Sequence, residues 1–278
     1  MIEVKSIKRF AANKAALVSL LFLVVLTAVA MLAPWFSRYD PDALDLGQVL
    51  QGFSAEHFLG TDHLGRDIAT RIMYGARLSL LSGVGAVCFG LVIAVPIGLF
   101  SGYVGGVIDM LTQRIVDALF AFPAFLLALA LVAVLGTGLA NVIIAVGAST
   151  VPPMIRLVRS GVLAIKNEEY VENARAIGCS RSRIILRHIL PNMAGPIIVQ
   201  STVYIGATII AAAGLGFLGL GVQPPAAEWG TMLGEGRDYI FTASHTVTVP
   251  GLFIFAAVLA FNYVGDGLRD VLDPKGAK

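Results

Sequence analysis

Five long stretches of this chain contain no Asp, Glu, Lys or Arg, and they constrain the possible folds more than any other feature. An α-helix needs about 20 mostly apolar residues to cross the hydrocarbon core of a bilayer. Each stretch reaches or exceeds that length, so the sequence predicts an all-α membrane protein. The five stretches are 15–37, 78–108, 118–155, 189–227 and 239–265.

Two of these stretches are longer than one span requires. The third has a turn signal at its centre, Gly136-Thr137-Gly138, and is predicted to be a hairpin of two spans. The second half of the fourth is rich in Gly and Pro, which cannot continue a straight helix, so it is counted as one span and a loop. The result is a single transmembrane domain, 15–278, with six spans at about 15–36, 78–100, 115–135, 139–158, 194–218 and 246–265.

Composition agrees with this class. Hydrophobic residues make up 57% of the chain and charged residues 14%, against about 25% charged in soluble domains. The first span follows a basic leader (1–14), exceeds the length of a signal-peptide core and lacks a clean cleavage site at Ala33-Pro34-Trp35. We therefore predict a retained span. The net charge of +2 is too small to argue for nucleic-acid binding.

The distribution of basic residues predicts the orientation. Six spans place both termini on one side of the membrane, together with 15 of the 20 Lys and Arg residues. Because cytoplasmic loops carry the excess of Lys and Arg, both termini are predicted to be cytoplasmic. The outer loop 37–77 and the segment of about 221–245 would then lie outside. Trp35 and Trp229 would be interfacial aromatics of the outer side or ordinary loop aromatics.

A polar island, Asn167–Asn192, interrupts the apolar chain within a predicted cytoplasmic loop, 161–192. Asn167 is a suitable N-cap for a first helix that ends near Ile177. Gly178 can adopt the left-handed conformation that stops a helix. Ser180 can cap a second helix that runs to about Leu190. The island is thus predicted to be two helices joined at a glycine.

The first of these helices has a small apolar face formed by Val171, Ala174 and Ile177. Such a face suits a groove in a soluble partner. Cytoplasmic loops are also commonly basic and helical without docking to anything. Spacing alone leaves both interpretations open.

The island resembles the signature cytoplasmic loop of ABC-importer permeases. That pattern is Glu-Ala-Ala, three residues, Gly, and Leu-Pro about a dozen residues later. This chain has Glu172-Asn173-Ala174, Gly178 and Leu190-Pro191, so Asn173 replaces the usual small residue. The resemblance implies an ATPase-coupling loop that docks onto a cytoplasmic ATPase, with the site residues Glu169, Glu172, Ala174, Gly178, Leu190 and Pro191.

The outer string 58–80 is similar to that of the second permease of dipeptide/oligopeptide importers, as are 156–159, 217–225, 228–233 and the tail 270–274. The resemblance implies the type I ABC-importer permease fold in the bacterial inner membrane. It also implies three kinds of partner: a homologous second permease, two cytoplasmic ATP-binding subunits and an extracytoplasmic solute-binding protein. Peptides are the implied solutes. Nickel complexes, glutathione or oligosaccharides are the alternatives.

The outer-loop signature of this family is predicted to be a tight polar loop. Two of its glycines permit unusual backbone angles. Asp62, Arg66 and Asp67 could pair across the loop. Such a loop could either support the outer face or contact a binding protein or solute. Its residues are Gly60, Thr61, Asp62, Gly65, Arg66 and Asp67.

Two departures from the family pattern concern the spans. Ala212 stands where relatives often carry an acid, which argues against a fixed pore carboxylate. Pro152-Pro153 replaces a segment that usually contains an aromatic residue, so the inner end of span four is predicted to be kinked or short. Asp117 is predicted to pair with Arg114, three residues earlier on the same helix, with a contact to the solute as the alternative.

The sequence predicts no enzymatic site. It has no G-x-x-x-x-G-K-[ST] phosphate loop, so it cannot be the ATPase. Cys88 and Cys179 do not suggest a disulfide, and no His, Asp or Glu cluster has metal-ligand spacing. No catalytic residue, metal or cofactor is therefore predicted. A membrane-embedded enzyme and a passive channel are the non-transporter alternatives; the first lacks a catalytic dyad and the second needs no docking loop.

Overall fold

The computed structural model describes residues 9–272, and within that range the chain is helical and contains no β-strand. Residues 1–8 of the leader and residues 273–278 of the tail lie outside the described residues. Ten α-helices follow a helical turn at 9–12. They are α1 Lys14–Phe36, α2 Ile68–Val104, α3 Gly106–Phe120, α4 Ala124–Leu135, α5 Leu139–Ile165, α6 Glu169–Ala176, α7 Arg181–Ile184, α8 Leu190–Phe217, α9 Trp229–Gly236 and α10 His245–Leu272.

Between residues 9 and 272, five helical segments are long and apolar enough to cross a membrane. They are α1, α2, α5, α10 and the continuous helix Arg181–Phe217, in which a π-helical turn joins α7 to α8. The helices extend beyond the predicted spans because backbone hydrogen bonding does not stop where charged side chains begin. α2, for example, starts at Ile68 rather than near residue 78.

The predicted third span, 115–135, is not one straight helix. The chain bends by 87° between α3 and α4, and only together do these two helices supply a sixth apolar segment. Pro123 stands at the bend as the N-cap of α4, and proline cannot donate the backbone hydrogen bond that would continue α3. The charged residues Asp109, Arg114 and Asp117 all lie on α3, which leaves α4 with 12 apolar residues.

Small residues let α2 and α5 pack closely. A Cβ atom added to Gly98 would lie 2.8 Å from the Cβ of Val158, and one added to Gly102 would lie 3.0 Å from that of Val162. The backbones therefore approach as closely as glycine permits. α5 runs through Pro152 and Pro153 to Ile165, beyond the predicted span end at about 158, so the predicted shortening of span four does not occur.

Arg77 joins the C-terminal part of α1 to the N-terminal part of α2. Pro34 lies inside α1 and has no N–H to offer the carbonyl of Ala30, four residues earlier. The Nε atom of Arg77 donates to that carbonyl at 2.5 Å, and Nη2 donates to Met31 O at 3.0 Å. An arginine of one helix thus satisfies an acceptor that proline leaves open in another, as buried membrane backbone requires.

Candidate functional site

The polar island forms the two short helices α6 and α7. The N-cap of α6 is Glu168, not Asn167 as predicted; its carbonyl accepts from Val171 N and Glu172 N. Its side chain makes no capping hydrogen bond. Glu169 and Glu172 lie in the first turn, where negative charge stabilises the helix dipole.

The apolar face of α6 is turned into the protein. Val171 is 0% exposed and Ala174 is 4% exposed. Both belong to a core cluster with Leu99 of α2, Val158 of α5 and Met193 of α8. Of the two interpretations that spacing left open, docking of this face in a partner's groove does not apply to these two residues, because the chain's own helices cover them. Ile177, in contrast, is 81% exposed.

Gly178 ends α6 in the predicted left-handed conformation, with φ +81°. Cys179 N donates to Ala174 O and Gly178 N donates to Arg175 O, both at 3.0 Å. These two bonds form the Schellman motif, and the half-buried Cys179 side chain packs in the same core cluster as Ala174. The elbow between the two helices is therefore fixed by backbone geometry at one glycine.

The second helix of the island does not end near Leu190. Ser180 caps α7 as predicted, since its Oγ accepts from Arg183 N at 3.4 Å. The π-helical turn Ile185–Ile189 follows and leads without a break into α8, which holds Leu190 and Pro191 in its first turn. The widened turn lies where the Pro191 ring would otherwise clash with the carbonyl of the preceding turn.

The six residues of the outer-loop signature are buried at the end of the loop 37–67, directly before α2. Gly60 and Gly65 have positive φ, and a Cβ on Gly65 would lie 1.8 Å from Asp45 O. Arg66 is 2% exposed; its Nε donates to Asp62 Oδ2 at 2.6 Å and its Nη2 donates to Glu235 on α9 at 2.8 Å. One cation therefore bridges two carboxylates that are 173 positions apart in the chain.

Asp67 does not take part in this bridge, contrary to the predicted pairing. Its Oδ1 lies 2.9 Å from His57 Nδ1, and its Oδ2 accepts from Thr70 N at 2.7 Å as the N-cap of α2. Thr61 is fully buried and its Oγ accepts from Gln51 N. These contacts bind the signature into one rigid unit.

Arg71 connects this unit to the loop before α9. The guanidinium is 1% exposed, and its Nη1 donates to Pro41 O at 2.9 Å and to Pro225 O at 3.2 Å. Asp62, His63 and Glu235 offer ligand atoms within 4.8 Å of one another, as a cation site would. Because Asp62 and Glu235 both accept from Arg66, the group is better described as part of an ion-pair network.

α9 contributes residues that sequence reasoning missed. Trp229 was predicted to be interfacial or a loop aromatic, yet it is 0% exposed and its indole N–H donates to Ile72 O at 3.1 Å. Glu228 is buried and accepts from Gly230 N, Thr231 N and Ser79 Oγ. The available signal was an acid immediately before a short helix-forming segment.

The ion pairs on the opposite side of the molecule join α3 to α5. Asp117 pairs with Arg156, not with Arg114 as predicted. Asp109 accepts from Arg159 Nε at 2.6 Å and from Ser101 Oγ at 2.6 Å. The segment 156–159, singled out in the sequence, thus holds α3 against α5. Ala212, which replaces the acid of relatives, is buried among apolar residues of α2, α4 and α5.

Comparison with known proteins assigns the family. A family model described as the inner membrane component of binding-protein-dependent transport systems matches residues 94–278. A second model, the N-terminal transmembrane domain of oligopeptide transport permease C, matches residues 5–52. The chain belongs to this permease family. It is an ABC-importer permease of the dipeptide/oligopeptide type and a multi-pass protein of the inner membrane.

Curated relatives of this permease align over nearly its whole length. It is 48% identical to the dipeptide transport system permease protein DppC of Alkalihalophilus pseudofirmus, over 98% of this chain and 89% of the relative. It is 49% identical to the glutathione transport system permease protein GsiD of Escherichia coli O157:H7, over 96% of this chain and 89% of the relative.

A solved structure shows the fold of the permease. The inward-facing MetNI methionine ABC transporter matches it with a TM-score of 0.60, covering 73% of this chain and 96% of the other at 18% identity. The all-α type I ABC-importer permease fold predicted from the sequence is confirmed.

Proposed function

We propose that this permease forms, with a homologous second permease, the path by which di- or oligopeptides enter the cell. Two cytoplasmic ATP-binding subunits would drive it, and an extracytoplasmic solute-binding protein would deliver the peptide. The observation that carries the proposal is the geometry of α6. Its inner face is buried on the ends of α2, α5 and α8, whereas its outer face is exposed.

A helix of this kind can transmit force. A partner that pushes on the exposed face of α6 displaces the spans on which Val171 and Ala174 are packed, because close-packed cores shift between discrete arrangements. The exposed face carries Tyr170, which is 42% exposed, and Ile177, which is 81% exposed. Glu172 on the same face is also exposed. Desolvation and the nearby Glu168 carboxylate raise the pKa of the Tyr170 phenol. A phenol is already neutral at physiological pH, so its O–H can donate a hydrogen bond to a partner.

The site roles divide accordingly. Glu169, Glu172 and Ile177 would contact the ATP-binding subunit, while Ala174, Gly178, Leu190 and Pro191 would position the loop. The outer-loop signature would hold the outer face rigid, since its Thr61, Asp62, Arg66 and Asp67 are all buried. ATP hydrolysis would occur on the partner subunits.

Glutathione is a second candidate solute. The GsiD relative, named for glutathione transport, is as similar to this chain as the dipeptide relative. Glutathione and dipeptides share free carboxylate and ammonium groups joined by amide bonds. Competition between labelled dipeptide and unlabelled glutathione in an uptake assay separates the two solutes.

Changing Ile177 to Asp should abolish docking. The substitution places a charge in the centre of the proposed contact, and we expect at least a tenfold loss of co-purifying ATP-binding subunits. Leu44→Asp is the matched control, because Leu44 is also exposed (63%) but lies in the outer loop. Pull-down from membranes measures both. Equal recovery of ATP-binding subunits with Ile177→Asp and with the unchanged chain would contradict the docking role.

Labelling of Cys179 tests the cytoplasmic placement of the island and, with it, the termini. In a Cys88→Ala background, a membrane-impermeant maleimide should label Cys179 in inverted vesicles but not in intact cells. Because Cys179 is half-buried, the exposed Ser182→Cys in a cysteine-free chain provides a stronger signal. Leu44→Cys should show the opposite pattern. Labelling of position 182 in intact cells would overturn the orientation.

A further inference from the structure

An apolar groove of about 620 Å³ opens between α1, α2 and α10 and belongs to neither site described above. Its volume falls in the range of about 300–1,000 Å³ that is usual for small-ligand sites. Leu81, Val84 and Phe261 line it, and Arg77 is the one charged residue among those that line it. Leu81 is 52% exposed, so the groove is open to the surroundings of the helix bundle.

The charge pattern indicates that Arg77 lies near the membrane–water interface, within reach of lipid phosphates. It is the last charged residue before the charge-free stretch 78–108, and its partner Met31 lies about five residues, or roughly 7 Å, before the end of α1. From Arg77 the groove runs along α2 to Val84, about 10 Å deeper at 1.5 Å per residue. A groove with a cation at one end and an apolar lining along the membrane span complements a phospholipid, which has an anionic phosphodiester and apolar acyl chains.

The guanidinium retains capacity for an anion. Among residues 9–272, Nε and Nη2 donate to the carbonyls of Ala30 and Met31, and no carboxylate pairs with Arg77. The Tyr74 ring lies 5.0 Å from the guanidinium carbon and fixes its plane. These bonds hold the cation in place and leave Nη1 to donate to a phosphate oxygen.

We propose that this groove binds one phospholipid, with the phosphodiester on Arg77 and an acyl chain along Leu81, Val84 and Phe261. The charge complementarity of guanidinium and phosphodiester selects the occupant. A bare hydrocarbon chain would leave Nη1 without an acceptor in a low-dielectric setting. The site is independent of the proposed function, since neither the solute nor the orientation enters into it.

The test uses the full-length chain purified with its bound subunits and a photoreactive phosphatidylglycerol that carries a diazirine on its acyl chain. Mapped cross-links should fall on the 81–84 and 261 regions. Arg77→Gln should reduce them about tenfold, the loss expected for one charge-assisted hydrogen-bonded pair. Diacylglycerol with the same chains should label weakly and equally in both proteins.

Three further variants separate lipid binding from folding. Arg38→Gln removes another arginine that lies over a tyrosine, at 5.6 Å from the Tyr39 ring, but outside the groove, and should leave labelling unchanged. Pro34→Ala provides a backbone N–H for Ala30 O. In this background Arg77→Gln removes the phosphate contact but leaves no unsatisfied carbonyl at Ala30, so labelling should still fall. Val84→Trp should fill the groove and block labelling with Arg77 intact.

Several results would overturn the proposal. Unchanged labelling in Arg77→Gln would show that the phosphate contact is absent. Equal labelling by diacylglycerol and phosphatidylglycerol would show an unspecific apolar surface. Labelling of the isolated chain that disappears in the assembled transporter would show that the groove is an interface with a partner subunit.

Discussion

Replacing Arg66 with methionine should lower the thermal unfolding temperature of the purified permease by roughly 6–12 °C, the shift that corresponds to about 3 kcal/mol. Arg66 is 2% exposed and bonds to both Asp62 and Glu235, whose side chains are 11% and 18% exposed. Methionine has a similar volume but no donor, so the two carboxylates keep only Arg71, 3.6 Å from each, as a counter-ion.

The matched control is Arg237→Met. Arg237 is 56% exposed and lies 3.6 Å from Asp238, so the same change of side chain should alter stability by no more than about 0.5 kcal/mol. Fluorescence of Trp229, which is buried on the same short helix as Glu235, reports the unfolding. Adding Glu235→Gln to the Arg66→Met variant should recover part of the loss. Equal shifts for Arg66→Met and Arg237→Met would contradict the structural role of the bridge.

Replacing Gly178 with leucine should reduce solute uptake at least tenfold, either by uncoupling ATP hydrolysis from transport or by blocking assembly. At φ +81° an L-residue costs about 1–2 kcal/mol, and an added Cβ meets nothing within 4 Å. The cost therefore comes from the backbone alone. The chain relieves it by opening the elbow, which moves α6 from the position that a partner would meet.

Gly219 is an unusually close control. It ends α8 at φ +76° with open space around it, and Leu220 N and Gly219 N make the same two hydrogen bonds, to Leu215 O and Gly216 O. Gly219→Leu imposes the same strain outside the island and should leave uptake within about twofold, while Gly178→Asn should restore most of it, since Asn tolerates this conformation. Uptake and ATPase activity in proteoliposomes measure all three. Full transport with Gly178→Leu, or equal losses at both glycines, would argue against a special role of the elbow.

The membrane helices were predictable because a lipid-facing helix requires a long stretch of sequence without charged residues. Their ends were less predictable, since a helix continues for as long as its backbone hydrogen bonds do. The bend between α3 and α4 has a local cause at Pro123, but a proline in a membrane helix can be accommodated as well as break it. The charged residues of α3, which precede that proline, favour a break because they are costly to place in the same apolar span as α4.

At the island, local chemistry predicted the glycine elbow and the Ser180 cap because both involve neighbours in the chain. Periodicity also identified the apolar face of α6. It could not say whether Val171 and Ala174 meet the protein's own bundle or a partner, because the same spacing serves either. Contacts between distant segments, such as Arg66 with Glu235 or Trp229 with Ile72, leave no trace in a single sequence.

The continuous helix Arg181–Phe217 is 37 residues long, which corresponds to about 55 Å. Its first turns belong to the polar island, and its last turn lies directly under α9, where a Cβ on Gly216 would come within 2.9 Å of Thr231 N. No loop lies between these ends to absorb a tilt. For the proposed partners, ATP binding at one end and docking of the solute-binding protein at the other act on the same rigid helix. Thermodynamic linkage then requires that each binding event change the affinity of the other by the same factor.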